Sequence, residues 1–286
     1  VHAPKNKTEL REASERIALE EYFVLLSAFK LVKGDAQEAR VNRYSVTERQ
    51  VAAFEKRFPF AFTAGQQAAV RAIYDNVTGP VRMNRLLQGD VGSGKTAVAL
   101  TGIYMALASG FQAAYLSPTE VLAAQNYALL QKTFPEYRVG YLAGGSTAKE
   151  KRELKAALAA GEVDIVCGTH AVLQGDVHFK DLAFCVCDEQ HRFGVAQRSA
   201  LSEKGDSPDM LVMSATPIPR TLSLVFYGDL DVTTIPDKPL DRQPITTSVV
   251  PARKYEDMLA YIRGETKKGR QAYFVCAKIE DDEGEV

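Results

Sequence analysis

The 286-residue sequence has no tryptophan, only four histidines and only four cysteines. Cys167, Cys185, Cys187 and Cys276 have neither C-x-x-C nor metal-ligand spacing, which argues against a disulfide framework and a zinc module. Three of them lie in apolar runs and read as reduced core thiols. No apolar run approaches the 18 residues of a membrane span, and the polar stretch Val1 to Glu12 does not resemble a secretory leader, so a cytoplasmic chain without a membrane partner is expected. The two Asn-x-Thr triplets, at Asn6 and Asn76, are then chance matches. Charge of one sign is missing too: 35 Lys+Arg against 36 Asp+Glu leave a net of −1, so there is no global basic field and any contact with a polyanion must be local. With 20 Gly and 12 Pro, neither a collagen-like repeat nor a low-complexity tract can dominate.

What is present is ordinary globular composition, 46% apolar and 25% charged, over a length suited to about two domains. From Glu9 to Leu31 the residues Leu10, Ala13, Ile17, Tyr22, Leu26 and Phe29 recur at helical steps after an Asn6-x-x-Glu9 start. A second helix is expected from Thr47, with Gln50 three residues on, carrying Val51, Phe54 and Phe58 to a stop at Pro59. Residues 1–60 thus read as a helical N-terminal extension. After Thr63, short β-rich runs (85–88, 113–117, 139–142, 163–167, 184–187 and 210–213) alternate with helical segments such as 96–108, 120–133 and 147–160. The runs are apolar on both parities, as strands buried on both faces are, and the alternation predicts an α/β domain over 61–238: a parallel sheet with helices on both faces. Pro236 to Pro244 has three prolines in nine residues and reads as a linker. Beyond it, a strand at 245–250, a helix at 255–268 and a strand at 271–277 read as the truncated start of a second domain over 239–286.

The strongest chemical signal is Gly89-Asp90-Val91-Gly92-Ser93-Gly94-Lys95-Thr96, which satisfies G-x-x-x-x-G-K-[ST]. Glycines let the backbone wrap around phosphates, so that N–H groups and the following helix N-terminus face negative charge. Lys95 would reach the outer phosphates, and Thr96 offers a hydroxyl to Mg²⁺. The alternative for such a string is a glycine-rich turn; here it follows an apolar strand and opens a helix containing Val98, Leu100, Ile103 and Leu107, the context of a nucleotide cradle. Phe184-Cys185-Val186-Cys187-Asp188-Glu189 then supplies an apolar strand ending in two acids. On a strand neighbouring the cradle, Asp188 would hold the metal and Glu189 would orient or deprotonate water; otherwise the pair is a solvated strand end.

Asp188-Glu189-Gln190-His191 has the D-E-x-H form of superfamily 2 helicases. Together with Leu86 to Thr96 and Ser214-Ala215-Thr216-Pro-Ile-Pro-Arg-Thr-Leu222, it resembles the RecG-type family of ATP-dependent DNA helicases. Further matches are Pro118 to Gln125, Gly168 to Ala171 and Tyr227 to Asp231, so the likeness runs from about Ala18 to Ala277. The resemblance implies a RecA-like P-loop NTPase motor using ATP and Mg²⁺ and acting on branched or duplex DNA at stalled replication forks, in repair and recombination. It also implies that Gln66 recognises adenine beside Phe60 as a stacking platform, although Thr63-x-x-Gln66 is equally a capping box. Within the family, Gln190, His191, Ser214, Ala215 and Thr216 couple hydrolysis to domain movement. A second motor domain supplies an arginine finger and a wedge domain splits forks; neither is found in these residues.

Gly89, Pro118, Gly144, Gly168, Asp188 and Ser214 each follow the carboxyl end of an expected strand, and in an open parallel sheet those ends share the ligand-binding edge. Thr119, Gly144, Gly145, Ser146, Thr169 and His170, with Pro118, are small or neutral donors suited to phosphate contacts that read no base. Lys149, Lys151 and Arg152 add charge or form a solvated helix face. Two other readings stay open: a related duplex-DNA translocase such as a transcription-repair coupling factor motor, and a non-catalytic nucleotide- or DNA-binding regulatory module.

Overall fold

The computed structural model describes residues 4–35, 39–145, 147–188, 201, 204–215, 230–237 and 245–275. Contacts divide the chain into two compact units, Val1–Leu240 and Asp241–Val286.

The first unit is built on seven strands: β1 (Asn84–Gly89), β2 (Gln112–Leu116), β3 (Val139–Leu142), β4 (Ile165–Gly168), β5 (Leu182–Cys187), β6 (Asp209–Ser214) and β7 (Asp231–Ile235). They lie in the order β3-β4-β2-β5-β6-β1-β7, every pair parallel. The helices are α1 (Lys7–Asp35), α2 (Glu48–Glu55), α3 (Ala64–Val77), α4 (Lys95–Ala108), α5 (Glu120–Thr133) and α6 (Ala148–Ala160). Because successive strand side chains point to opposite faces, each strand feeds two cores. In β5, Phe184 and Val186 join a cluster with α2, α3, α4 and α5, while Cys185 and Cys187 join another that contains Leu158 of α6. Both faces are covered by helices, as the apolar runs predicted.

Helix starts follow local chemistry. Thr47 with Gln50, Thr63 with Gln66 and Thr147 with Glu150 each form a reciprocal capping box. The second helix stops earlier than expected, at Glu55 rather than Pro59. The N–H groups of Arg57 and Phe58 fold back onto the carbonyls of Phe54 and Glu55, and Phe58, which Pro59 keeps out of the helical region, lies edge-on to Phe54 at 5.7 Å. Phe54 itself is buried and stacks on Tyr104 at 4.2 Å and Phe134 at 5.4 Å. Segment 46–62 therefore shares the sheet's own core. In α1, by contrast, Leu10, Ile17 and Tyr22 are exposed.

Strand β7 was not among the expected strands. Its sequence, Asp-Val-Thr-Thr-Ile, is half polar, as suits an edge strand with only Ile235 fully buried. In the second unit, α7 (Tyr255–Lys267) forms as predicted, followed by Gly269 at φ +84°. The strands expected at 245–250 and 271–277 do not form within the described residues. A strand exists by its ladder, and these segments have the residue types but no partner among the described residues; Val249 and Val275 are 96% and 95% exposed.

Candidate functional site

With every strand parallel, the ends of β1 at Gly89, β2 at Leu116, β3 at Leu142, β4 at Gly168, β5 at Cys187 and β6 at Ser214 line one edge. The strand ends expected to converge do so. One expectation is corrected: β5, which carries Asp188, is not the neighbour of the cradle strand β1. Strand β6 stands between them, with Gln88 paired to Ser214 on one side and Cys187 to Val212 on the other. Two inter-strand steps separate cradle and acid by about 10 Å, with the buried Ser214 at the end of the strand between them.

The loop after β1 is shaped by two left-handed glycines, Gly92 at φ +80° and Gly94 at φ +84°. Gly94 is the N-cap of α4 and, having no side chain, makes no cap bond, so the first N–H groups of α4 face the loop. Asp90 holds the turn: its carbonyl accepts from the Ser93 N–H and its Oδ1 from the Val91 N–H at 2.8 Å. Lys95 is drawn into the loop, its Nζ donating to the carbonyls of Gly89 (2.8 Å) and Asp90 (3.0 Å). Thr96 is half-buried in the first turn of α4.

Gln66 forms the capping box and also reaches the phosphate loop. Its Oε1 accepts from the Thr63 N–H at 3.0 Å, completing the capping box, and its Nε2 donates to the Ser93 carbonyl at 2.8 Å. A side chain on Gly94 would bring a Cβ within 2.2 Å of that nitrogen. Phe60, 48% exposed, shares with Phe58, Gly94, Thr96 and Leu100 the lining of a cavity of about 860 Å³.

Asp188 lies half-buried just past β5, its N–H bonded to the Leu116 carbonyl. Its Oδ2 accepts from the Tyr115 hydroxyl at 3.3 Å. Burial first, and then the Asp188 charge, push the Tyr115 hydroxyl well above its ordinary range, so it remains a donor. Sequence reasoning missed Tyr115; the signal available was a lone hydroxyl near the carboxyl end of a buried strand, Gln-Ala-Ala-Tyr-Leu. Glu189, Gln190, His191, Thr216 and Ser146 lie outside the described residues; Ala215, just past β6, is half-buried.

At the β3-β4-β2 end of the same edge, Thr119 caps α5 through the Leu122 N–H, with Pro118 half-buried before it. Gly144 and Gly145 are exposed after β3, but the Gly145 N–H is not open: Glu120 Oε1 accepts from it at 3.1 Å, while Lys151 Nζ donates to the Gly144 carbonyl at 2.7 Å. The helix start of α5 thus places an acid on the glycine pair. Thr169 is buried after β4 and His170 is exposed.

Among the described residues, two buried side-chain oxygens have no hydrogen-bond partner: Ser93 Oγ, 3% exposed in the loop, and Thr169 Oγ1, 2% exposed at the end of β4. Buried hydroxyls without partners are uncommon and ask for a ligand or a water. Here one falls in the phosphate cradle and the other among the positions expected to meet a polyanion. Among the described residues there is also no group of three or more His, Cys, Asp or Glu able to hold a metal alone, and no helix long and apolar enough to cross a membrane.

Comparison with known proteins agrees with this geometry. The family model for DEAD/DEAH box helicases matches residues 63–225. The chain is 42% identical over 285 residues to the ATP-dependent DNA helicase RecG of Thermotoga maritima, covering 99% of this chain and 36% of that protein. It is 41% identical over 287 residues to RecG of Streptococcus pneumoniae, covering 99% of this chain and 42% of that protein. A solved structure of RecG bound to a three-way DNA junction superposes with a TM-score of 0.80 at 41% identity, over 93% of this chain and 36% of that one. The chain thus spans less than half the length of these relatives.

Proposed function

Because the chain belongs to the DEAD/DEAH box helicase family, we propose that it is the first motor domain of a cytoplasmic, RecG-type ATP-dependent DNA helicase acting on branched DNA and stalled forks. The observation that carries this reading is the orphaned Ser93 hydroxyl inside a loop of two left-handed glycines at an uncapped helix start. Phosphate oxygens are the acceptors such a loop suits.

In this reading, the N–H groups at the start of α4 bind the outer phosphates, while those of Val91 and Ser93 keep the turn on Asp90 and Ser93 Oγ gains its missing partner. Lys95 exchanges the Gly89 and Asp90 carbonyls for phosphate oxygens. Thr96 and Asp188 are the chain's metal ligands, a sparse donor set of the kind Mg²⁺ shares with nucleotide phosphates and water. Bound there, the ion would neutralise charge on the transferring phosphoryl group. Tyr115 keeps the Asp188 carboxylate directed to the sheet edge, and Glu189 orients or deprotonates the attacking water. Phe60 offers its exposed face to the base beside Gly94 and Thr96. Gln66, having committed Oε1 to Thr63 and one amide proton to Ser93, has its second proton for adenine. Ser214 and Ala215, with Gln190, His191 and Thr216, couple that centre to domain movement.

Thr169, with the Pro118-Thr119 and Gly144-Gly145 turns and His170, holds the DNA backbone. Such contacts position a strand without reading its sequence, as translocation along arbitrary DNA requires. An arginine finger from a second motor domain, worth about 10³ to 10⁵ in rate in comparable P-loop enzymes, and a wedge domain complete the machine. The test is nucleotide binding by the 286-residue chain with Mg²⁺, read with a fluorescent ATP analogue. Weak binding that Lys95→Ala removes, and negligible turnover, are expected. Unchanged binding by that variant rejects the phosphate role, and robust DNA-stimulated hydrolysis by this chain alone rejects the need for a second domain.

A further inference from the structure

Asp237 lies two residues beyond β7, whose Ile235 is paired in register with Gly89 at the head of the phosphate loop. Its Oδ2 accepts from the Thr63 hydroxyl and, at 2.9 Å, from the Gly65 N–H, so the carboxylate caps the start of α3 from a position 172 residues away in sequence. The position suits a carboxylate, since charge-assisted bonds at a helix N-terminus are the stronger kind. The contact is also close. A Cβ on Gly65 would sit 2.3 Å from that oxygen, so only glycine admits the carboxylate there.

The chain of bonds does not stop at the cap. The Thr63 hydroxyl that donates to Asp237 accepts from the Gln66 N–H at 3.2 Å, and the Thr63 N–H donates to Gln66 Oε1. Gln66 Nε2 then donates to the carbonyl of Ser93 in the phosphate loop. Asp237 is thus joined to the loop through two residues, Thr63 and Gln66. It is also among the last residues of the first unit, which ends at Leu240.

We propose that Asp237 is a positioning residue for the phosphate loop: it sets Gln66, and through Gln66 the Ser93 carbonyl, at the place where the chain passes from the first unit to the second. The proposal rests on the nucleotide reading of that loop. A shift of the chain after Asp237 that lengthens its bonds to Thr63 and Gly65 loosens the loop, and ordering of the loop by phosphate tightens the cap in return, since coupling between two sites is reciprocal.

The test is a double-mutant cycle in the 286-residue chain, read as affinity for a fluorescent ATP analogue with Mg²⁺. Asp237→Ala and Gln66→Ala are each expected to weaken binding about tenfold, the loss of about one charged or buried hydrogen bond. The double variant is expected to bind no worse than Gln66→Ala alone, because both act through one path. Asp237→Asn, which keeps an oxygen acceptor, is expected to recover part of the loss, and it carries the test if the alanine variant does not fold. Wild-type affinity in Asp237→Ala, losses that multiply in the double variant, or an Asp237→Asn no better than alanine would overturn the proposal. Lys95→Ala separates the two levels: if it binds like wild type, the nucleotide reading fails; if it loses binding and Asp237→Ala does not, only this proposal fails.

Discussion

Arg40 and Asp209 form a two-pronged ion pair beneath the sheet, at the opposite end of the strands from the phosphate loop. The guanidinium meets Oδ2 at 2.5 Å and Oδ1 at 2.8 Å, with the two side chains 6% and 1% exposed. It also donates to the carbonyls of Asn76, Gly79 and Val81, while Asp209 Oδ1 accepts from the Met83 N–H. One pair therefore ties the segment preceding α2, the end of α3, the entry to β1 and the start of β6.

Breaking that pair leaves a buried charge without compensation. Arg40→Ala is expected to destabilise the first unit by about 3–5 kcal/mol, measured by urea unfolding. Whatever remains folded should retain nucleotide binding, because no cradle residue is touched. A loss under 1 kcal/mol would show that the pair is not needed.

Gly94→Ala should abolish nucleotide binding with little change in overall secondary structure. The new Cβ would meet Gln66 Nε2 at 2.2 Å and must be held at φ +84°, a conformation costing a non-glycine residue about 1 kcal/mol or more. Circular dichroism beside analogue binding checks this; wild-type affinity would show that the loop repacks freely.

Much of this site could be read from residue order alone, because its parts are local. The glycine spacing from Gly89 to Thr96, the apolar run ending at Asp188 and the Thr63-Gln66 box each declare themselves within eight residues. What escaped is made by residues distant in sequence. Nothing in Phe184 to Asp188 says that β6 will lie between it and β1, since strand order is a matter of topology. Asp237 meets Thr63 only because β7 pairs with β1. The segments 245–250 and 271–275 show the opposite limit: β-forming residues announce a strand, but among the described residues they have no ladder and form none. The Glu120 contact was hidden because helix-start acids are so common that one gives no hint of what it will face.

That contact sets an expectation for DNA. Glu120 occupies the Gly145 N–H with a negative charge at an edge proposed to hold phosphates. Glu120→Gln should strengthen binding of the 286-residue chain to a branched duplex several-fold at low salt, an advantage that shrinks as salt screens the charge. Thr169→Val should weaken binding across all sequences alike. Fluorescence anisotropy over a salt series decides; weaker binding by Glu120→Gln would mean that the carboxylate orders the turn instead of competing for it.

The buried cysteines set a pH limit. Burial pushes the Cys167 thiol up to about 12 and that of Cys185 well above its ordinary value. At pH 8, about one Cys167 in 10⁴ is thiolate in the folded state; Cys167 and Cys185, and Cys187 by its burial alone, should resist alkylation until the unit unfolds. Since the folded value is raised, the stability contributed by the protonated thiol is complete below about pH 9, the value of the unfolded group. It is lost as pH rises toward 12. A melting temperature that held constant from pH 8 to 11 would contradict this.

The Arg40 clasp and the phosphate loop sit at the two ends of the same strands, one built of five bonds from a single guanidinium, the other with a buried Ser93 hydroxyl in want of a partner. Endurance and chemistry are therefore inherited separately in this domain. Substitutions at one end can tune how long the protein survives, and substitutions at the other what it does, with a strand's length of packed side chains insulating each from the other.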